Sequence, residues 1–281
     1  MFAGNSLTSN ITSSDGEIKL NGSVISGGDQ AYNGPIFLGR SLTLNSLFGN
    51  LNFNGDINGV FSGPNGQIEN AMTTYSAWNT TFNGAVSLGH LSSNITSSDG
   101  AINMNAGMIH TFYNQTYNGT LRLGRDSRLI SREAVLSFNG TVDGGYNLEV
   151  LSGTPGTVSF NGRVGSITPL ASLRAGGGWR TDLNGGSITT VNDLHLHGAT
   201  WLGSDNTLTS TAGNVSFGSR VDGGYGLTAN SHLNTSFEGH VGSDTPLESL
   251  TANITGPGGI FLNGNSVTTT GTQTYNGPVN P

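Results

Sequence analysis

Few residues in this chain have the types and spacing that chemistry requires. His195-Leu196-His197 places two imidazoles two residues apart, on one face of a strand, where they could chelate a metal with a third ligand such as Asp193. Gly198 aligns with a recurring glycine, so His197 also stands where an asparagine usually precedes that glycine, and two surface histidines are the simpler expectation. No third or fourth ligand has metal-site spacing, and neither a metal nor another cofactor is expected. Enzymes that cleave polysaccharides need two or three carboxylates on one face with a basic partner. Here the carboxylates sit mostly in turn strings such as Ser98-Asp99-Gly100 and Asp143-Gly144-Gly145. Asp143 and Asp222 occupy equivalent places in successive repeats, and a residue that recurs usually serves the fold. Corner residues bonding to their own backbone are the expectation for both, with weak cation ligation as the alternative. Arg122, Arg125, Arg128 and Arg132, interspersed with Asp126 and Glu133, form the one charge cluster and suggest a solvated loop or one face of two coils, with a binding patch for an anionic glycan as the alternative. No serine has the G-x-S-x-G elbow, and Gly176-Gly177-Gly178 has no lysine or threonine to cradle phosphate. No catalytic residue is assigned.

Composition narrows the classes further. Of 281 residues, 45 are glycine, none is cysteine, and only 10 Lys+Arg and 17 Asp+Glu are present, for a net charge of −7. Absence of cysteine excludes disulfides, thiolate metal sites and thiol nucleophiles. One lysine and nine arginines leave no footprint for a polyphosphate, so nucleic acid is not an expected partner. No apolar run approaches the roughly 18 residues of a membrane span, so membrane insertion is not expected. Met1-Phe2-Ala3-Gly4 lacks the basic and apolar regions of a signal peptide.

The elements that must position these residues are set by repetition. NITSSDG occurs at Asn10–Gly16 and again at Asn94–Gly100. QAYNGPIFLG at Gln30–Gly39 returns as QTYNGTLRLG at Gln115–Gly124, as LHLHGATWLG at Leu194–Gly203 and as QTYNGPVNP at Gln273–Pro281. VDGGYNL at Val142–Leu148 recurs as VDGGYGL at Val221–Leu227, and VGSITPLASL at Val164–Leu173 as VGSDTPLESL at Val241–Leu250. The unit is about 80 residues, dividing the chain roughly into 1–90, 91–170, 171–250 and a partial 251–281 within a single solenoid. Shorter aromatic-Asn-Gly markers recur at intervals of 20 to 22 residues in five of nine cases. Before each marker the apolar residues alternate with period two, as in Leu51-Asn52-Phe53-Asn54-Gly55, which is the pattern of a half-buried strand. Asn-Gly then offers the positive φ of a sharp corner.

Strand–corner–strand units of about 21 residues fit a meander of hairpins or a parallel β-helix. Only stacked coils explain why successive units keep the same register, so the expected fold is all-β, a right-handed parallel β-helix of about 13 coils, on the order of 60 Å long at roughly 4.8 Å per coil. Phe53, Phe138, Phe160, Phe217 and Phe237 should then form one aromatic stack in the interior. Asn33, Asn54, Asn83, Asn118, Asn139, Asn161 and Asn276 should form a corner ladder, with Asn54, Asn139 and Asn161 bonded to one another. The interval from Gly55 to Gly84 is longer, and the insertion near Gly63–Asn79 is the best place for a protruding loop, with Tyr75, Trp78 and Phe82 nearby; a loop packed on the rod is the expectation, and a ligand contact at Tyr75 and Trp78 the alternative.

The strings QTYNGPV, F-N-G-x-V, VDGGYGL and VGSxTPLxSL resemble the repeat region of large bacterial exoproteins related to filamentous haemagglutinin, adhesins of the two-partner secretion type. The resemblance spans nearly the whole chain. It implies the right-handed β-helix, a secreted or cell-surface location, and a structural role in adhesion, biofilm or matrix formation. Implied partners are host or matrix glycans or proteins, and an outer-membrane secretion partner for the parent protein. NPNL and NPNG motifs of the family's secretion domain are absent, Met1 is followed almost at once by a mid-unit sequence, and no capping repeat is found at the C-terminus, so the chain is expected to be part of a shaft. A carbohydrate-active β-helix enzyme, a polysaccharide lyase or hydrolase, is the alternative.

Overall fold

The computed structural model describes residues 5–11, 16–60 and 68–280. Every regular element among them is a short β-strand, and no helix occurs. Two compact units are distinguished, Met1–Gly140 and Thr141–Pro281.

In the first unit each turn lays down three strands on three faces. The first face contains Leu7–Asn10, Gln30–Asn33, Leu51–Phe53, Asn79–Phe82, Ala101–Met104 and Thr120–Leu123, each paired in parallel with the one before. The second face runs from Ile18–Leu20 to Ser127–Ser131, and the third from Val24–Ser26 to Leu136–Phe138, with six described strands each. The second unit repeats the plan. Its longest face carries seven strands, from Asn147–Ser152 to Val279–Asn280, beside faces beginning at Thr157–Phe160 and Ser187–Thr190. The chain is thus a parallel β-helix of about 13 turns.

Alternation of side chains explains why these residues form these elements. In Leu51–Phe53 the leucine and phenylalanine are buried and Asn52 between them is not. A period-two strand places its apolar members on one side, and three such strands per turn enclose an interior lined by leucine, valine, isoleucine and phenylalanine. Stacked turns then satisfy backbone N–H and C=O groups through the neighbouring coils.

The five phenylalanines expected in one stack are all buried, but they lie on different faces. Phe53 stacks between Tyr32 and Phe82 on the first face, at 5.5 and 5.2 Å between ring centroids. Phe138 stacks on Tyr117 on the third face at 5.4 Å. In the second unit Phe217 and Phe237 stack at 4.8 Å on the longest face, whereas Phe160 belongs to the face beginning at Thr157–Phe160. The single asparagine ladder divides in the same way. Asn10, Asn33, Asn54, Asn83 and Asn105 form one file, each Nδ2 donating to the Oδ1 of the turn before at 2.6–2.7 Å. Asn94, Asn118 and Asn139 form another, so Asn54 and Asn139 are not bonded to each other. Asn184 donates to Asn161, and Asn276 to Asn253, in the second unit. The cause is a mismatch of periods. From Gln30 on the first face to Gln115 on the third, the long repeat advances three full turns and two further faces, so copies of a motif land on different faces.

The marker glycines Gly119 and Gly277 do take positive φ, at 154° and 159°, but four other corner glycines have a different reason from the expected one. Gly34, Gly55, Gly84 and Gly140 do not take left-handed φ. A Cβ on Gly55 would collide with the carbonyl of Gly34, one on Gly84 with that of Gly55, and one on Gly140 with that of Gly119. Close approach of stacked backbones beside the amide ladder, not handedness, excludes a side chain there.

Gln30 and Tyr32 show how polar groups enter the core. The Tyr32 hydroxyl donates to Gln30 Oε1 at 2.7 Å, and Gln30 Nε2 donates to Ser26 Oγ at 3.1 Å and the Asn45 carbonyl at 2.8 Å. Tyr117 repeats the bond to Gln115 at 2.9 Å. Burial pushes both phenols far above their ordinary range. Since the folded pKa lies above the unfolded one, this stability is complete below about pH 10 and is lost as pH climbs beyond it. Urea midpoints should therefore fall from about pH 9.5 to about pH 11.5, and fall less steeply in a Tyr32→Phe/Tyr117→Phe variant.

Candidate functional site

Tyr75 and Trp78, the alternative ligand contacts of the insertion, lie on the first unit. Residues 61–67, which include part of that insertion, lie outside the described residues. Tyr75 is not on a loop: it points outward from the regular strand Ala71–Ser76, between Asn45 and Asn94 of the adjacent turns. Trp78 sits at the following corner, where its N–H donates to the Gly49 carbonyl at 3.3 Å. That bond places it beside Phe48, which the sequence reading did not single out although it is the more exposed, at 73% against 46% for Trp78 and 39% for Tyr75. Leu47 and Ile25 are exposed in the same region, Ile25 being in register with Asn45. The result is an apolar, aromatic edge over three turns, flanked by the amides of Asn45 and Asn94. The missed signal was Leu47-Phe48 itself, two apolar residues that break the alternation after Leu42, Leu44 and Ser46.

Asp143 and Asp222 are buried, and their role explains why two motifs travel together. Asp143 Oδ1 accepts from the N–H groups of Ile167 and Thr168 at 2.8 and 3.2 Å. Asp222 Oδ1 accepts from Asp244 and Thr245 at 2.8 and 3.1 Å. The aspartate of V-D-G-G-Y thus caps the loop of V-G-S-x-T-P one turn on, a longer reach than a bond within its own corner. Gly165 and Gly242 turn those loops with φ of 66° and 69°, a region where L side chains are strained. Arg220 pairs with Asp222 Oδ2 at 3.6 Å and with Asp244.

The arginines are spread around one turn. Arg122 faces out from Thr120–Leu123 on the first face and Arg128 from Ser127–Ser131 on the second, so they do not form one patch. Arg132 holds its guanidinium 5.2 Å from the Phe112 ring centroid. With burial as the larger cause, Arg132 holds the His110 imidazole below its usual range.

His195, in the strand Leu194–Leu196, stands between Arg174 and Ser216 of the neighbouring turns. His195 Nε2 and His197 Nδ1 are 3.0 Å apart. Arg174 donates from Nε to His197 Nε2 and pairs with Glu149 at 3.6 Å. Burial first, then Arg174, pushes His195 down, against the opposing carboxylates of Asp193 and Glu238. Burial, His195 and Arg174 do the same to His197, against Glu149. Asp193 Oδ1 is taken by the N–H and Nδ2 of Asn214, both at 2.9 Å. Among the described residues no group of three or more histidines, cysteines or carboxylates is gathered around a metal-sized centre. Glu149 and Arg174 were not foreseen, since only the strand register brings them beside the histidines.

In comparisons with known proteins, no family model, no curated protein and no solved structure matches the chain.

Proposed function

We propose that the chain is a non-catalytic shaft segment of a secreted bacterial surface exoprotein of the filamentous-haemagglutinin-like, two-partner-secretion kind, and that it serves cell or matrix adhesion. The observation that carries this reading is that recurring polar residues are consumed by stacking: asparagines bond to asparagines of the next turn, and Asp143 and Asp222 hold backbone N–H groups. Each coil is stabilised by its two neighbours, so stability accrues along the stack by nearest-neighbour terms. Low charge and an amide- and hydroxyl-rich exterior suit weak contacts repeated over many turns, which gain avidity from multiplicity. On this reading Phe48, Tyr75 and Trp78 are the contact for a neutral glycan, their rings stacking on sugar faces while Asn45 supplies hydrogen bonds.

A glycan array probed with the parent chain and a Phe48→Ala/Trp78→Ala variant tests the contact, alongside a reducing-sugar assay on neutral polysaccharides and polyuronates. Neutral-glycan signal that falls about tenfold or more in the variant, with no sugar released, is the expected result. Release of reducing ends would overturn the non-catalytic assignment in favour of a polysaccharide lyase or hydrolase.

A further inference from the structure

We propose that His195 and His197 form a chelating site for a divalent transition metal of tetragonal preference, copper(II) first, on the outer surface of the second unit. This inference is independent of the adhesive reading. It begins with bite distance. Two cis ligands, each about 2.0–2.1 Å from a metal, are about 3.0 Å apart at a right angle and about 3.4 Å apart in a tetrahedron. His195 Nε2 and His197 Nδ1 are separated by 3.0 Å, which fits the right angle. Nitrogen and oxygen ligands in that geometry select copper(II) or nickel(II), and copper(II) binds more tightly of the two.

Backbone pairing holds the pair in place. Residues i and i+2 of an extended segment project to the same side, and Leu194–Leu196 is locked between Ser172–Gly176 and Val215–Phe217 by parallel pairing. The two rings are tilted by 56° with centroids 4.0 Å apart, so a modest rotation about χ2 turns both lone pairs toward a common point. Stacking does not need imidazoles here. In the next two turns the position of His195 is taken by Ser216 and Ser236, and in the repeated markers asparagine precedes the glycine where His197 stands. Both histidines depart from the pattern together, their side chains bond to each other, and His197 accepts from Arg174.

Electrostatics and protons are consistent with a cation. The Arg174 bond to His197 Nε2 leaves the proton of that neutral ring on Nδ1, from which it is donated to His195 Nε2. When a metal takes His197 Nδ1, that proton transfers through solvent to Nε2, Arg174 gives up the bond and keeps Glu149, and no net proton is released. Asp193 and Glu238 act on His195, and Glu149 on His197, each against Arg174. Water completes the coordination.

The test is titration of tag-free protein with copper(II) chloride near neutral pH, followed by calorimetry and by electron paramagnetic resonance. One saturable site per chain with imidazole-nitrogen hyperfine structure is expected. His195→Ser and His197→Asn use the residues that the repeat itself tolerates, so the fold should survive, as an unchanged thermal transition would show. Each should weaken copper(II) by about tenfold or more, because the second imidazole binds as an intramolecular ligand. Arg174→Gln removes a cation and frees His197 Nε2 for the proton, and should tighten binding. Absence of a saturable site, or affinity unchanged from the unsubstituted protein in both folded histidine variants, would overturn the proposal.

Discussion

Phe53→Ala is expected to lower unfolding stability by about 3–5 kcal/mol, the range for emptying a phenylalanine site in a packed core. Phe53 is fully buried, and its ring lies nearly parallel to both neighbours, 8° from Tyr32 and 15° from Phe82. Alanine would remove the transfer free energy of the ring, leave a cavity between two turns, and forfeit two aromatic contacts worth about 0.5–1.5 kcal/mol each beyond burial. The interior cannot collapse to fill the gap, because turn spacing is set by backbone hydrogen bonds on three faces. In a solenoid the loss also weakens coupling between adjacent turns. Urea unfolding should register the whole cost, and hydrogen exchange should rise first in the strands Gln30–Asn33 and Asn79–Phe82, which flank Phe53. Phe48→Ala, at a side chain 73% exposed, should change stability by about 0.5 kcal/mol or less. Equal effects at the two positions would contradict the assignment of inside and outside.

Asp222→Ala is the second large expectation, at about 2–5 kcal/mol. Its Oδ1 is the acceptor for two backbone N–H groups of the Asp244–Thr245 loop, and the residue is 1% exposed. Truncation strands both donors, and each unsatisfied group costs about 1–3 kcal/mol. Arg220 would lose one partner but keep Asp244, so the ion pair contributes less than the capping bonds. Asp222→Asn keeps an acceptor and should cost clearly less than alanine. If asparagine and alanine were equally damaging in thermal unfolding, charge and not capping would be the function of the carboxylate. Asp143 holds Ile167 and Thr168 in the same way, and Asp143→Ala should follow the same order of effects.

How far the sites could be read in advance depended on the distance over which their parts interact. The strand Leu51–Phe53 and its corner glycine were legible because alternation and Asn-Gly are local patterns. That Asp143 and Asp222 serve the fold was legible because they recur, although their partners are backbone groups more than twenty residues away, beyond their own corners. Tyr75 and Trp78 were found as aromatics near an irregular interval, whereas Phe48 became their neighbour only through the hydrogen bond from Trp78 to Gly49 in the turn before. Glu149 and Arg174 reach His195 through register alone.

The amino-acid order by itself therefore determined the class of fold: period-two alternation, glycines at the corners, and motifs that return in register admit a parallel coil and little else. Which copies of a motif share a file was decided by the tertiary structure, because a file is defined by the length of one turn, and the long repeat is not a whole number of turns. A phenylalanine can therefore recur in sequence and still point into the core from another face. Stacking partners, ladder membership and the surroundings of the two histidines all follow from that one mismatch.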